Sequence, residues 1–157
     1  MCVDMNPVTS GPKVNESLET NIEGVFACGN VLHVHDLVDF VSEEAKTAGR
    51  NAAEYVKNLQ SDTDDGEKSS KEDAADITLN PVEGVRYTVP STINPAHMDE
   101  NLTVRFRVGG VYKNCYVSAY FDDERVIHKK RPVVAPGEME QINVSYTNLK
   151  LPTTSRV

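Results

Sequence analysis

The chain has 157 residues, a formal net charge of −8 and 39% hydrophobic residues, and it contains no tryptophan. This length accommodates one ordinary domain or two small ones. The acidic balance argues against nucleic acid as a partner, because the sequence has no basic stripe with interleaved aromatic residues. No apolar run approaches the ~20 residues of a transmembrane helix, so no membrane partner is predicted.

The cysteines indicate the compartment. Cys2, Cys28 and Cys115 are widely spaced and odd in number, and no C-x-x-C pair is present. This pattern encodes neither a local zinc knuckle nor a redox dithiol, and it favours a reducing environment over a disulfide framework. The N-terminus lacks the apolar core of a signal peptide. We therefore predict a cytoplasmic protein.

A strand, a glycine turn and a helix are predicted between residues 20 and 55. The apolar run from Gly24 to Cys28 predicts a short buried strand, which ends at the next glycine. Beyond it, a loop leads into a helix that we expect to begin near Asp36 or Ser42 and to fade by about Leu59. Ser42, with two glutamates after it, is typical of a helix N-terminus.

The same stretch carries a family motif, T-x-x-x-G-V-F-A-x-G-[DN]-V, followed by a helix with A-x-x-A-G. It resembles the C-terminal flavin motif of the FAD-dependent pyridine nucleotide-disulfide oxidoreductases, the group that includes thioredoxin-reductase-like enzymes. The matching residues are Thr20, Gly24, Val25, Phe26, Ala27, Gly29, Asn30, Val31, Ala45, Ala48 and Gly49.

The resemblance implies a fold and a set of FAD contacts. Residues 1–57 are expected to be the C-terminal strand–loop–helix piece of an α/β FAD-binding domain. Gly29, Asn30 and Val31 would lie at the ribityl chain, and the backbone near Glu44 and Ala45 at the flavin pyrimidine edge. Asn30 stands where the family usually has aspartate, so it brings a hydrogen-bonding side chain without the charge.

Other parts of the expected cofactor site are missing from this sequence. It contains neither the G-x-G-x-x-G that holds the ADP part of FAD nor a glycine-rich NAD(P) loop. We therefore expect the chain to be a C-terminal fragment of an FAD-dependent, NAD(P)H-linked oxidoreductase. Its expected partner is the missing N-terminal flavin- and NAD(P)-binding portion or another subunit, with a homodimer as a further option.

Two histidines in the loop raise the question of a metal. His33 and His35 would face the same side of an extended segment, as metal ligands often do. Tetrahedral zinc needs further ligands, and Asp39 and Cys28 lie at no recognised spacing, so no metal site is predicted. The alternatives are a polar loop that lines the flavin or substrate pocket, where either histidine would assist proton transfer, and plain surface polarity. The Cys28 thiol is predicted to be buried and inert.

A linker and a β domain are predicted after the helix. Residues 58–80 are expected to be an acidic, flexible linker, because they offer few side chains to bury. Residues 81–157 contain five longer β-type runs and predict a small antiparallel β-sandwich of immunoglobulin-like architecture, which makes the whole chain α+β. The runs are 84–90, 101–108, 114–121, 124–130 and 138–146.

The exposed face of this predicted sheet is basic. Arg105 and Arg107 alternate with apolar residues, and a further basic run covers residues 128–131. An ordinary solvated sheet face is the preferred interpretation, with a docking surface as the alternative. The second function hypothesis follows from this domain: a non-catalytic interaction or oligomerisation module with a vestigial flavoprotein segment.

Overall fold

The computed structural model describes residues 2–61 and 75–149. These residues form an α+β arrangement of one long helix and small antiparallel sheets. In chain order the elements are a 3-10 turn at Gly29–Val31, α1 at Val38–Ser61, β1 at Ile77–Thr78, β2 at Val85–Val89, β3 at Thr92–Ile93, β4 at Asn101–Val108, β5 at Tyr112–Phe121, β6 at Glu124–Val134, β7 at Glu140–Ser145 and α2 at Tyr146–Leu149.

The five predicted β runs are confirmed as strands, although several ends shift. The bounds of β4 are those predicted, and the turn at Asp122 and Asp123 joins β5 to β6. A three-stranded antiparallel sheet has the order β2-β4-β7, and β5 and β6 form a separate hairpin. The two short strands β1 and β3 pair with each other.

One face of the three-stranded sheet packs against the β5–β6 hairpin. Val104, Phe106 and Val108 alternate along β4, and Ile142 and Val144 alternate along β7, so their side chains meet on one face. Buried residues of β6, with Ile93 of β3 and Leu149 of α2, complete this cluster, and half-buried residues of β5 pack against it. The binary pattern of the sequence is sufficient to specify this core.

The opposite face of the sheet packs against the N-terminal part of the chain. Tyr87 and Val89 of β2 share a buried cluster with Val14, Leu18, Leu32 and Ala48. The prediction that this face of β4 is solvated is therefore wrong, because Arg105 is only 8% exposed. Arg105 and Arg107 instead pair with Glu43 and Asp36 of the N-terminal part. Residues 128–130 of the predicted basic face are exposed, and a docking role for that face stays a prediction.

The predicted buried strand between Gly24 and Cys28 is wrong in the described structure. The segment makes a single β-bridge, from Phe26 to Glu19, and Val25 is exposed. A strand needs a neighbour along its length to satisfy its backbone N–H and C=O groups. Among residues 2–61 and 75–149, this segment has only the neighbour of that one bridge: the Val25 carbonyl oxygen accepts from the Thr20 N–H at 2.8 Å, and the Ala27 N–H donates to the Leu18 carbonyl oxygen at 2.9 Å.

The helix is close to its predicted position. It begins at Val38, between the two expected starts, and Ser42 lies one turn inside, with its hydroxyl 3.1 Å from the Val38 carbonyl oxygen. It ends at Ser61 rather than Leu59. Most of the predicted linker, residues 62–74, lies outside the described residues. Its first residues, 58–61, belong to α1, and near its other end Ile77–Thr78 form β1. In the described part of the chain, no helix combines the length and hydropathy needed to cross a membrane.

Candidate functional site

The glycine turn of the flavin-like motif is tied to helix α1 by a buried carboxylate. Gly29 has φ +70° and is buried, and its N–H donates to Glu44 Oε2 at 2.9 Å. The Leu32 N–H closes the 3-10 turn on the Gly29 carbonyl oxygen at 3.0 Å. A side chain at Gly29 would adopt an unfavourable backbone conformation and would approach Val41. The turn and the helix therefore hold each other in place.

Two imidazoles converge on the same glutamate. We call His33, His35 and Glu44 the histidine–glutamate cluster. His33 Nε2 lies 3.3 Å and His35 Nε2 lies 3.0 Å from Glu44 Oε1, and each of the three side chains is at most 2% exposed. The two imidazole rings contact edge to face, with centroids 4.4 Å apart. A loop and a helix thus bring three ligand-type side chains into one buried space.

The outer nitrogen of each imidazole has its own partner. His35 Nδ1 lies 3.3 Å from Asn30 Oδ1, which also accepts from the His35 backbone N–H at 3.2 Å. His33 Nδ1 lies 3.3 Å from the Tyr87 hydroxyl on β2. Burial raises the pKa of Tyr87, so that hydroxyl keeps its proton. These contacts fix the orientation of both rings.

The inner nitrogen of His35 is not satisfied by its close contact. His35 Nε2 is buried and makes no hydrogen bond among the described residues, although it lies 3.0 Å from Glu44 Oε1. If Asn30 Oδ1 accepts from Nδ1, the neutral ring presents a lone pair at Nε2. In that tautomer, a buried nitrogen lone pair is directed toward the Glu44 carboxylate.

Arginines from β4 enclose the cluster from the sheet side. Arg105 donates to Glu43 Oε2 at 2.8 Å and to Glu44 Oε1 at 3.3 Å, and its guanidinium lies 5.4 Å from the Phe40 ring centroid. Arg107 donates to the Val34 carbonyl oxygen at 2.7 Å. It also pairs with the Asp36 carboxylate. The two arginines fasten both the loop and the helix start to the sheet.

Glu44 is ionised despite its burial. Burial by itself raises the pKa of Glu44, but the contacts with His33, His35 and the Gly29 N–H outweigh it and hold the pKa at about 2. The same carboxylate affects its neighbour: burial first, and then the Glu44 charge, raise the pKa of the half-buried Cys28 thiol. Cys28 is thus half-buried rather than buried as predicted, and its inert role stays a prediction.

The predicted FAD contacts occupy different environments. Asn30 and Val31 are exposed next to the buried Gly29, and Ala45 is exposed on the helix. Glu44 instead directs both carboxylate oxygens into the cluster. Because α1 begins at Val38, the N–H groups of Glu44 and Ala45 lie inside the helix, and the N–H groups without a partner in the helix belong to residues 38–41. Of these, the Phe40 N–H donates to the Leu37 carbonyl oxygen at 3.2 Å. These contacts stay predictions.

Sequence reasoning missed three members of this network: Glu44 as the partner of the histidines, Arg105 and Tyr87. Glu44 lies nine residues after His35 across a loop-to-helix junction, a separation that matches no ligand motif. The other two come from the β region, 61 residues beyond Glu44 and 54 beyond His33 respectively. Only the folding of the sheet onto the N-terminal part brings them together.

No protein-family model, curated protein or solved structure matches this chain. The resemblance to the flavoprotein oxidoreductases therefore rests on the motif between Thr20 and Gly49 alone.

Proposed function

We propose that the chain forms the C-terminal side of the FAD site in a larger NAD(P)H-linked oxidoreductase. The observation that carries the proposal is the exposure of apolar side chains along the flavin-like motif. Five residues between positions 25 and 38 are 41–79% exposed: Val25, Val31, Val34, Leu37 and Val38. Such a concentration of apolar surface is typical of a region that a cofactor or another polypeptide covers.

Asn30 is suited to contact a ribityl hydroxyl. It lies in the middle of the exposed apolar stretch, and its Oδ1 is held by His35. This contact orients the side chain, so its amide NH₂ can donate to a hydroxyl of the cofactor. In this proposal His35 acts as a positioning residue. Both imidazoles are buried against Glu44, which argues against the proton-transfer role that the sequence suggested for them.

The start of α1 is suited to the pyrimidine edge of the flavin. The first four N–H groups of a helix have no partner within it and carry the positive end of its dipole. Val38 is the first helical residue and is largely exposed. We therefore assign the pyrimidine edge to residues 38–41, in place of Glu44 and Ala45. A bound flavin would supply the hydride and electron transfer, while this chain holds and orients it.

The test uses the native protein that contains this sequence, tagged at its C-terminus and purified from its own cells. We expect it to show flavin absorbance that NADH or NADPH bleaches. Asn30→Ala should lose most of the bound flavin, whereas Asn30→Asp, the family's usual residue, should retain it. Asn80→Ala changes another exposed asparagine outside the motif and should have no effect. Colourless native protein, or full flavin content in Asn30→Ala, would refute the proposal.

A specific observation supports a second candidate function, self-association through the β5–β6 hairpin. Tyr116 and Tyr120 are more than half exposed. Lys130 and His128 lie opposite residues 116 and 118, and the Tyr116 ring stacks on His128 with centroids 4.4 Å apart. If this surface forms a homodimer, the double substitution Tyr116→Ala and Tyr120→Ala should give monomers in sedimentation experiments and leave flavin content unchanged. An unchanged oligomeric state would exclude this role.

A further inference from the structure

The histidine–glutamate cluster has the composition of a transition-metal site. Two imidazole nitrogens and one carboxylate oxygen suit Zn²⁺ and its neighbours in the first transition row, whereas Ca²⁺ and Mg²⁺ prefer oxygen ligands. A set of two histidines and one glutamate, with a fourth position left to water, is a known zinc arrangement. We propose that the cluster binds one Zn²⁺ ion through His33 Nε2, His35 Nε2 and Glu44 Oε1.

The spacing of the three atoms fits a single ion. One ligand atom of each residue lies within 4.8 Å of those of the other two. The Nε2 atoms of His33 and His35 are 3.3 and 3.0 Å from Glu44 Oε1. Ligands bound to zinc at 2.0–2.1 Å with tetrahedral angles are separated by roughly 3.3 Å. The side chains therefore need only small movements to coordinate an ion.

The surrounding contacts match those that support metal ligands in proteins. A ligating histidine usually donates its other ring N–H to an oxygen, and a ligating carboxylate is held by a hydrogen bond. Asn30 Oδ1 is placed to accept from His35 Nδ1, and the Tyr87 hydroxyl oxygen to accept from His33 Nδ1. The Gly29 N–H holds the second oxygen of Glu44. Each proposed ligand thus has one hydrogen-bond partner outside the site, and its other polar atom faces the place of the ion.

The unsatisfied His35 Nε2 is an independent indication of a ligand. Its side chain is 1% exposed, and the atom has no hydrogen-bond partner among the described residues. A buried polar atom without a partner carries a free-energy cost. An ion between His35 and Glu44 removes that cost, because it accepts the nitrogen lone pair.

Arg105 limits the affinity of this site. Its guanidinium lies 3.3 Å from Glu44 Oε1 and would repel a nearby cation. We therefore expect weaker binding than at structural zinc sites, which have thiolate ligands and no adjacent arginine. Arg105→Gln should increase the affinity several-fold. A purely structural ion-pair network predicts no such gain.

The experiment titrates the whole 157-residue chain, freed of metal with a chelator, with Zn²⁺ in competition with a chromophoric chelator. We expect one equivalent to bind. His33→Gln, His35→Gln and Glu44→Gln should each weaken binding by at least about 100-fold. Two variants serve as matched controls: His128→Gln changes an exposed histidine, and Glu43→Gln changes the glutamate next to Glu44 in the chain. Both should bind Zn²⁺ with nearly the affinity of the parent protein. Far-UV circular dichroism checks that each variant is folded.

A second measurement does not depend on the variants. The chain has four histidines, and their ring nitrogens can be followed by ¹⁵N NMR on the parent protein. Zn²⁺ should shift the Nε2 signals of His33 and His35 and leave those of His97 and His128 unchanged. No saturable binding, or shifts confined to His97 and His128, would overturn the proposal. So would parent-like affinity in folded variants of all three ligands.

Discussion

Arg105 Nη1 lies 3.3 Å from Glu44 Oε1, and this buried contact joins strand β4 to helix α1 across 61 residues of sequence. The same guanidinium reaches Glu43 at 2.8 Å, where the carboxylate is mostly exposed. One arginine thus pairs with a buried and an exposed glutamate that are adjacent in the chain. This geometry allows the two contributions to be separated by mutation.

Glu44→Gln should destabilise the protein much more than Glu43→Gln. Removing the buried charge leaves Arg105 without its buried partner, which typically costs about 3–5 kcal/mol. The exposed pair with Glu43 contributes less than about 1 kcal/mol. Urea unfolding with a chelator present measures both free energies of unfolding. An equal loss in the free energy of unfolding for the two substitutions would contradict the larger role of the buried Glu44.

The stability should fall in acid as Glu44 is protonated. Its pKa is lowered from 4.5 to about 2 by folding. A lowered pKa stabilises the folded state above the unfolded value, and that contribution is lost as the pH falls from about 4.5 toward 2. The contribution is about 3 kcal/mol at most. Chemical unfolding of the chelated parent and of Glu44→Gln between pH 6 and pH 3 tests this, and the difference between them should narrow as the pH falls.

Tyr87→Phe tests the hydrogen bond that orients His33. The substitution removes the hydroxyl 3.3 Å from His33 Nδ1 and keeps the ring in the shared core. We expect a loss of about 1 kcal/mol in the free energy of unfolding, as for a typical buried hydrogen bond. Tyr116→Phe removes an exposed hydroxyl and is the matched control. A loss in the control as large as that in Tyr87→Phe would contradict this role.

Leu32→Ala tests whether the N-terminal part and the β region share one core. Leu32 is 1% exposed and packs in the cluster that contains Tyr87 and Val89. Truncating a buried leucine costs about 2–5 kcal/mol. Leu37→Ala, at a leucine that is 56% exposed, should cost little.

The Leu32→Ala protein should also unfold in one transition when probed in both parts of the chain. Hydrogen exchange followed separately in α1 and in β4 provides the two probes. Destabilisation of α1 without β4 would show that the two parts fold independently.

Much of the β region and the helix could be predicted from the sequence. Alternating residues in β4 have a period of two and a buried face, so their pattern specifies a strand wherever it lies. The helix is specified by local preferences, which place its start to within a few residues. Whether the segment after Gly24 forms a strand could not be predicted in this way, because an extended segment depends on neighbours that its own sequence does not describe.

The candidate site was likewise predictable only in part from the sequence. The sequence by itself determined that His33 and His35 lie together in a loop after a glycine turn, since their separation in the chain is two residues. Only the tertiary structure decided that Glu44 meets both rings and that Arg105 and Tyr87 enclose them. The physical reason is that these contacts depend on how the sheet packs on the loop and helix, and side chains 54 and 61 residues apart become neighbours only through that packing.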